Sequence, residues 1–234
     1  MRPNVAWAAQ LGGVREITLL GSADLAFWKE RLAREGLVPL DHAGQARVVV
    51  IAARLRFMGV SFREASFSVA VRPPEGEKDA AFLLHAYNTC SFFAFCERFL
   101  SGTPYHYAEC AVEPGCPGLV QVGRGAAAWH RAMLGARPAL PEPVADGFDG
   151  PVFLPTRRGK GKPGKLFHAR LAGPTRRCPF DPALDSLALD PPSRGGDALR
   201  ALRESGFAGV EWQVREMALH AKSETVARPS LAAR

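Results

Sequence analysis

Lysine is scarce in this 234-residue chain: six of its thirty basic residues are lysine and the others are arginine. Long apolar runs are missing as well. The longest, Val48 to Ala53, falls far short of the ~20 residues of a membrane-spanning helix. The N-terminal stretch has no compact apolar segment with a small-residue cleavage site, so no signal peptide and a cytoplasmic location are expected. Five cysteines, Cys90, Cys96, Cys110, Cys116 and Cys178, form no CxxC and no Cys/His pair at zinc spacing. Free thiols and no disulfide framework follow. A phosphate loop, a dinucleotide fingerprint, a nucleophile elbow and HExxH are all absent, so neither cofactor nor metal is expected.

What remains is an ordinary soluble composition, 47% hydrophobic and 23% charged. A chain of this length buries a sizeable core without covalent staples. The net charge of +7 is mostly scattered arginine, which favours a general basic bias over a nucleic-acid surface. The exception is RRGKGKPGK, a glycine-rich basic loop spanning Arg157 to Lys165.

The pattern along the chain is strand-rich. A helix is expected after Ser22, with Leu25, Trp28 and Leu32 on one face and Gly36 ending it. Arg47 to Phe57 reads as a strand. In EASFSVAVR, Ala65, Phe67, Val69 and Val71 share one face, and Glu64, Ser66, Ser68, Ala70 and Arg72 share the other. AAFLLHAY is the next strand, which gives an antiparallel meander. NTCSFFAFCERFLSG reads as a helix that packs Phe92, Phe95, Phe99 and Leu100 on the sheet. Short strands follow from Tyr105 to Val112 and from Gly118 to Val122. The stretch from Arg137 to Gly164 reads as loop. Lys165 to Leu171 is a strand, Asp197 caps a short helix, and a last strand reaches His220, followed by a frayed tail. One domain is expected over residues 1–234, with its core at 14–228. The fold class is β-rich α+β, either a closed barrel or an open sheet.

Candidate chemistry gathers around LSGTPYHY, with Glu97, Arg98, Tyr105, His106 and Tyr107. On a strand, His106 faces opposite Tyr105 and Tyr107. If the sheet closes, a histidine on the cavity side can serve as acid or base near neutral pH. Otherwise it is a half-buried histidine with a backbone partner. Glu64 is solvated on an open sheet, whereas in a barrel lumen it is desolvated with a raised pKa. Arg54 and Arg56 on the preceding strand can pair with Glu64, hold a ligand carboxylate, or remain surface charges. His85 and His168 also lie on strands, but their spacing gives no support to a metal. Lys222, close to the C-terminus, reads as solvated.

The order of Glu64 in EASFSVAV, a further strand, a helix carrying Arg98, and a turn ending at Pro104 resembles the acetoacetate decarboxylase superfamily, and within it the uncharacterised DUF2071 (YqjF-like) branch. The resemblance spans about Leu37 to Val112, with a weaker echo from Lys165 to Leu189. It implies a cone-shaped antiparallel β-barrel with peripheral helices and a ligand site in its interior. In the decarboxylases two adjacent lysines follow the turn proline. The first forms a Schiff base, and the second lowers its pKa. Here Tyr105 and His106 occupy those positions, while Glu64 and Arg98 match the family's glutamate and arginine.

The expectation is therefore an enzyme of lyase, isomerase or hydrolase type without Schiff-base decarboxylation. It would act on a small keto or carboxylate ligand, with Glu64, His106 and Tyr105 as catalytic residues and Arg98, Arg54, Arg56 and His85 as ligand-binding residues. A non-catalytic ligand-binding barrel is the alternative. Nucleic-acid association through the basic loop with Arg176 and Arg177 is the least favoured reading. No membrane partner is expected, and a homo-oligomer is left open.

Overall fold

The computed structural model describes residues 5–74, 77–156, 164–190 and 196–228. The strands are β1 (Trp7–Asp24), β2 (Asp41–His42), β3 (Gln45–Phe57), β4 (Val60–Ala70), β5 (Ala81–Asn88), β6 (Tyr105–Tyr107), β7 (Cys110–Glu113), β8 (Gly118–Val122), β9 (His130–Leu134), β10 (Val144–Phe153), β11 (Lys165–Pro179), β12 (Ser186–Leu189), β13 (Ala208–Ser223) and β14 (Val226–Ala227). Helices α1 (Leu25–Ala33), α2 (Ser91–Cys96) and α3 (Asp197–Glu204) punctuate them, and a π-helical turn, Glu97–Ser101, extends α2. No helix among the described residues is long and apolar enough to cross a membrane.

In the larger sheet the strand path runs β1-β13-β11-β10-β5-β4-β3, and β3 pairs again with β1. That last pairing aligns Arg15 through Asp24 with Arg54 through Gln45. The β3-β4-β5 part is the antiparallel meander read from the sequence. A smaller sheet, β12-β9-β8-β7, packs on the outer face of the larger one. Between them lies the main core. Phe67, Val69, Val48 and Val50 meet Val112, Val120, Val122 and Leu134, with Trp28, Leu199, Leu202 and Trp212 completing it. The alternation of β4 places one residue set in this core and the other on the opposite face.

The helix starts shift slightly from expectation. Asp24, not Ser22, caps α1, its carboxylate accepting from Phe27 N at 2.7 Å. Trp28 and Leu32 are then buried. Asp197 is the first residue of α3, and Gly196 precedes it as the cap. The aromatic helix differs more. Phe92, Phe95, Phe99 and Leu100 are exposed rather than packed on the sheet. Phe93 is the residue that turns in, against Phe57 and Phe62 with ring centres 5.9 and 5.1 Å apart.

Two long strands lie where none is expected from the sequence. One is β10, in the glycine- and proline-rich middle. A Cβ at Gly147 would strike the Leu171 carbonyl, and one at Gly150 the Asp79 carbonyl. Glycine there permits the close backbone approach rather than marking a loop. The other is β1, a long strand preceding α1. Residues 157–163 of the basic loop lie outside the described residues. Arg176 and Arg177 are engaged elsewhere, with the Pro141 carbonyl at 2.9 Å and with Asp146 at 2.6 Å.

His130 sits in the main core, edge-on to Phe67 at 5.2 Å, with both ring nitrogens lacking a partner. Burial holds its pKa down at about 4. The unfolded chain takes up a proton near pH 6.5, whereas the folded chain does so only near 4. Stability is therefore intact above about pH 6.5 and falls by about 1.4 kcal/mol per pH unit as acid is added, down to the folded value. His130→Leu should shallow this acid limb in denaturant melts between pH 7 and 5, by up to about 2 kcal/mol. An unchanged limb would show that other groups set it.

Candidate functional site

A cavity of about 700 Å³ is lined by residues from all seven strands of the path from β1 to β3. Glu64, Ser66, Ser68 and Ala70 line it, so the polar face of β4 is the cavity face. Tyr105 follows the turn proline on β6, which pairs parallel to β5 with Tyr105 beside Ala86. Asn88 pairs with Glu64 across β4 and β5. These registers bring three side chains to one point. The Tyr105 hydroxyl donates to Glu64 Oε1 at 2.8 Å, and the Asn88 amide reaches Oε2 at 3.4 Å.

A lysine completes the cluster. Lys222, on β13, pairs with Ala169 of β11 and Ala9 of β1. Its ammonium bonds the Glu97 carboxylate and lies 4.7 Å from the Phe167 ring centre and 5.6 Å from that of Tyr105. Thr103 Oγ1 donates to the same Glu97 carboxylate at 2.8 Å. Lys222 is therefore not a solvated tail residue. Strand β13 continues past His220 and carries the amine into the cavity.

The cluster holds two carboxylates against one ammonium. Lys222 and Glu97 neutralise each other, which leaves Glu64 with neutral hydrogen-bond donors. Burial raises its pKa, and the Glu97 charge adds to the rise against the Tyr105 hydrogen bond. Burial also pushes the Tyr105 phenol well above its ordinary value, with the neighbouring carboxylates contributing. Tyr105 thus stays a donor throughout the neutral range.

A second charged group on the cavity wall behaves in the opposite way. Glu16 is fully buried, bonded to Arg215, to His220 Nε2 at 2.6 Å and to Thr18 Oγ1 at 2.8 Å. Burial alone would raise its pKa. The His220 hydrogen bond and the Arg215 charge overcome that and hold it at about 2. Arg215 also contacts Asp146 at 3.3 Å. This group is internally paired, carboxylate against guanidinium and imidazole.

The other sequence candidates lie elsewhere. His106 pairs beside Tyr87, not Ala86, and so faces away from Tyr105. Its ring stacks on His85 at 4.3 Å, and its Nδ1 lies 3.3 Å from an Arg98 nitrogen. Burial lowers the pKa of both histidines, that of His85 to about 3, and the Arg98 charge adds to each. His106, His85 and Arg98 are thus one group on the outer face, separate from Glu64. Arg54 bonds the Val112 carbonyl at 2.7 Å and Glu113 of the smaller sheet. Arg56 reaches only the Gly59 carbonyl, at 3.3 Å. Cavity-facing residues of β3 are the odd-numbered ones, such as Val49, Ile51 and Leu55, so both arginines point away. His168 shares no metal-like group: among the described residues no three His, Cys, Asp or Glu side chains are placed to hold an ion.

Sequence reasoning missed Asn88 and the Glu16–Arg215–His220 group, and set Lys222 aside as solvated. Glu97 was visible only as a member of the polar cluster before the turn. For Lys222 the available signal was the rarity of lysine, combined with extending the β13 pattern by two residues.

No protein-family model matches the chain, and no curated protein matches it in sequence. Solved structures do. An acetoacetate decarboxylase-like enzyme from Sphingomonas wittichii RW1 matches with a TM-score of 0.59 at 14% identity, over 94% of this chain and 93% of that one. The acetoacetate decarboxylase of Legionella pneumophila subsp. pneumophila str. Philadelphia 1 matches with a TM-score of 0.62 at 16% identity, over 97% and 90%. The enduracididine biosynthesis enzyme MppR complexed with pyruvate matches with a TM-score of 0.63 at 11% identity, over 96% and 91%. Across nearly its whole length, this chain has the strand-rich fold of the acetoacetate decarboxylase-like proteins.

Proposed function

We propose that the chain is an enzyme that moves a proton on a keto or carboxylate compound held in the cavity. Glu64 is the acid-base group, and Tyr105 and Lys222 receive the substrate's oxygen. The carrying observation is the raised pKa of Glu64 within bonding distance of a phenol that stays protonated. A carboxyl in such surroundings keeps its proton to higher pH and, once ionised, is a stronger base than a solvated one. In enolisation Glu64 would take the proton from the carbon beside the carbonyl. The Tyr105 hydroxyl and the Lys222 ammonium would stabilise the oxyanion that develops, a role preorganised donors fill in a water-poor site.

Lys222 serves in this reading as a cation, not a nucleophile. A Schiff-base amine needs desolvation or a neighbouring positive charge to be uncharged near neutrality. The partner of Lys222 is a carboxylate, Glu97. A nucleophilic Lys222 is the second reading, favoured by its approach to Tyr105, the residue after the turn proline. The proposal also includes closure of the strand path as a cone-shaped barrel, one domain over residues 1–234, a cytoplasmic location and kinship with the DUF2071 branch. The pairing of β1 with both β13 and β3 supports the barrel.

Deuterium uptake at C3 of 2-oxobutanoate, followed by proton NMR, tests the acid-base role. Glu64→Gln should slow it by about 100-fold or more, and an undiminished rate would remove Glu64 from the chemistry. The same substitution should stabilise the fold at neutral pH. Because the folded pKa of Glu64 is raised, its contribution is favourable below the unfolded value and is lost as pH rises through the folded one. Glu64→Gln should therefore melt higher at pH 8 than the parent, with the gain vanishing near pH 4.

Borohydride added with 2-oxobutanoate should leave the protein's mass unchanged, whereas Lys222→Met should weaken ligand binding. A reduced adduct on Lys222 would establish the nucleophilic reading instead.

A further inference from the structure

The wall of the cavity changes character row by row. Cross-strand partners on β1, β3, β4 and β5 form successive rows on the inward face. The first holds Glu16, Ala53, Glu64 and Asn88, the next Thr18, Ile51, Ser66 and Ala86. A third holds Leu20, Val49, Ser68 and Leu83. Polarity is concentrated in the first row, and the third is aliphatic except for one hydroxyl. Consecutive inward residues on a strand are about 6.6 Å apart, so the cavity runs about 20 Å along β4 from Glu64 to Ala70.

Most of the remaining lining is apolar too, with Leu40, Phe148 and Leu171 among it. Two arginines that border the cavity beyond the Glu64 cluster are already paired, and Arg47, Lys78 and Asp79 stand at its far end, past the third row. Arg215 is held by Glu16 and Asp146, and Arg177 by Asp146. Along the third row itself the wall offers no charge to a second polar group. A three- or four-carbon acid at Glu64 would leave the third row facing empty space or water. A volume of about 700 Å³ lies within the ~300–1,000 Å³ of sites that enclose drug-sized ligands.

We infer that the substrate is an amphipathic oxo acid. Its carbonyl and carboxylate lie at Glu64, Tyr105 and Lys222, and an extended hydrocarbon body runs along the row of Leu20, Val49, Ser68 and Leu83. The inference rests on the proposed acid-base site and adds the substrate class to it. Short keto acids then bind through the head alone, and affinity comes from the body.

Calorimetric titration with 2-oxobutanoate, 2-oxohexanoate, 2-oxooctanoate and 2-oxodecanoate tests this. The dissociation constant should fall about fourfold per added methylene, the factor expected for transferring each into an apolar site. In Ser68→Phe the ring fills the third row, so the fall should stop at a shorter chain than in the parent. Should that variant not fold, Ser68→Leu provides the same obstruction with less bulk. Equal affinity along the series, with 2-oxobutanoate binding, would overturn the substrate class and leave the acid-base site standing. A gain with length that Ser68→Phe and Ser68→Leu do not alter would place the hydrocarbon elsewhere and overturn the inference. Binding by none of the four would overturn both the substrate class and the function it rests on.

Discussion

The pairing of β1 with β3 is the constraint on which the cavity depends. It joins the start of the strand path to its end over ten residues of register, Arg15 to Asp24 against Arg54 to Gln45. Without it, the inward face of β4 would be one side of an open sheet, and Glu64 an exposed carboxylate with an ordinary proton affinity. With it, residues from all seven strands of the path line one cavity, Glu64 among them. The outward residues of β3, β4 and β5 are covered separately, by the smaller sheet and by α1 and α3. The two faces of one alternating strand therefore have different tasks, core on one side and ligand space on the other.

Within that enclosure two glutamates flank Ala53 in a single row, and their surroundings drive them in opposite directions. Glu16 has a guanidinium, an imidazole and a hydroxyl, and it is held ionised down to about pH 2. Glu64 has a phenol and an amide, with the nearby ammonium already engaged by Glu97. Burial is the leading influence on both, and the supply of counter-charge decides which way each one goes. Paired carboxyls with separated proton affinities are how one site can carry a fixed charge and a movable proton together.

Local pattern carried the sequence reading a long way. The alternation of EASFSVAV located Glu64 and its face, and the stretch after Pro104 was picked out as polar chemistry. Its parity left open which of Tyr105 and His106 meets the cavity, and it is Tyr105. What local pattern could not supply was closure, which depends on residues far apart in the chain. Glu16 meets Arg215 across 199 positions, and Lys222 meets Glu97 across 125. The parity of β3 decided Arg54 and Arg56 against the cavity, but that parity has meaning only once the enclosed side is known. β10 was hidden because its glycines, read as turn formers, serve close strand packing instead. The aromatic helix misled for a related reason: its phenylalanines have helical spacing, yet the segment that must point inward is Phe93, Cys96 and Glu97, over the cavity.

Burial leaves Glu64 holding its proton beyond the range of an ordinary carboxyl. Carbon-13 NMR of the glutamate side-chain carboxyls, with the Glu64 resonance identified by its loss in Glu64→Gln, measures this directly across a pH titration. The Glu64 midpoint should lie clearly above 4.5, while Glu16 stays ionised through the same range. A Glu64 midpoint at or below 4.5 would contradict it.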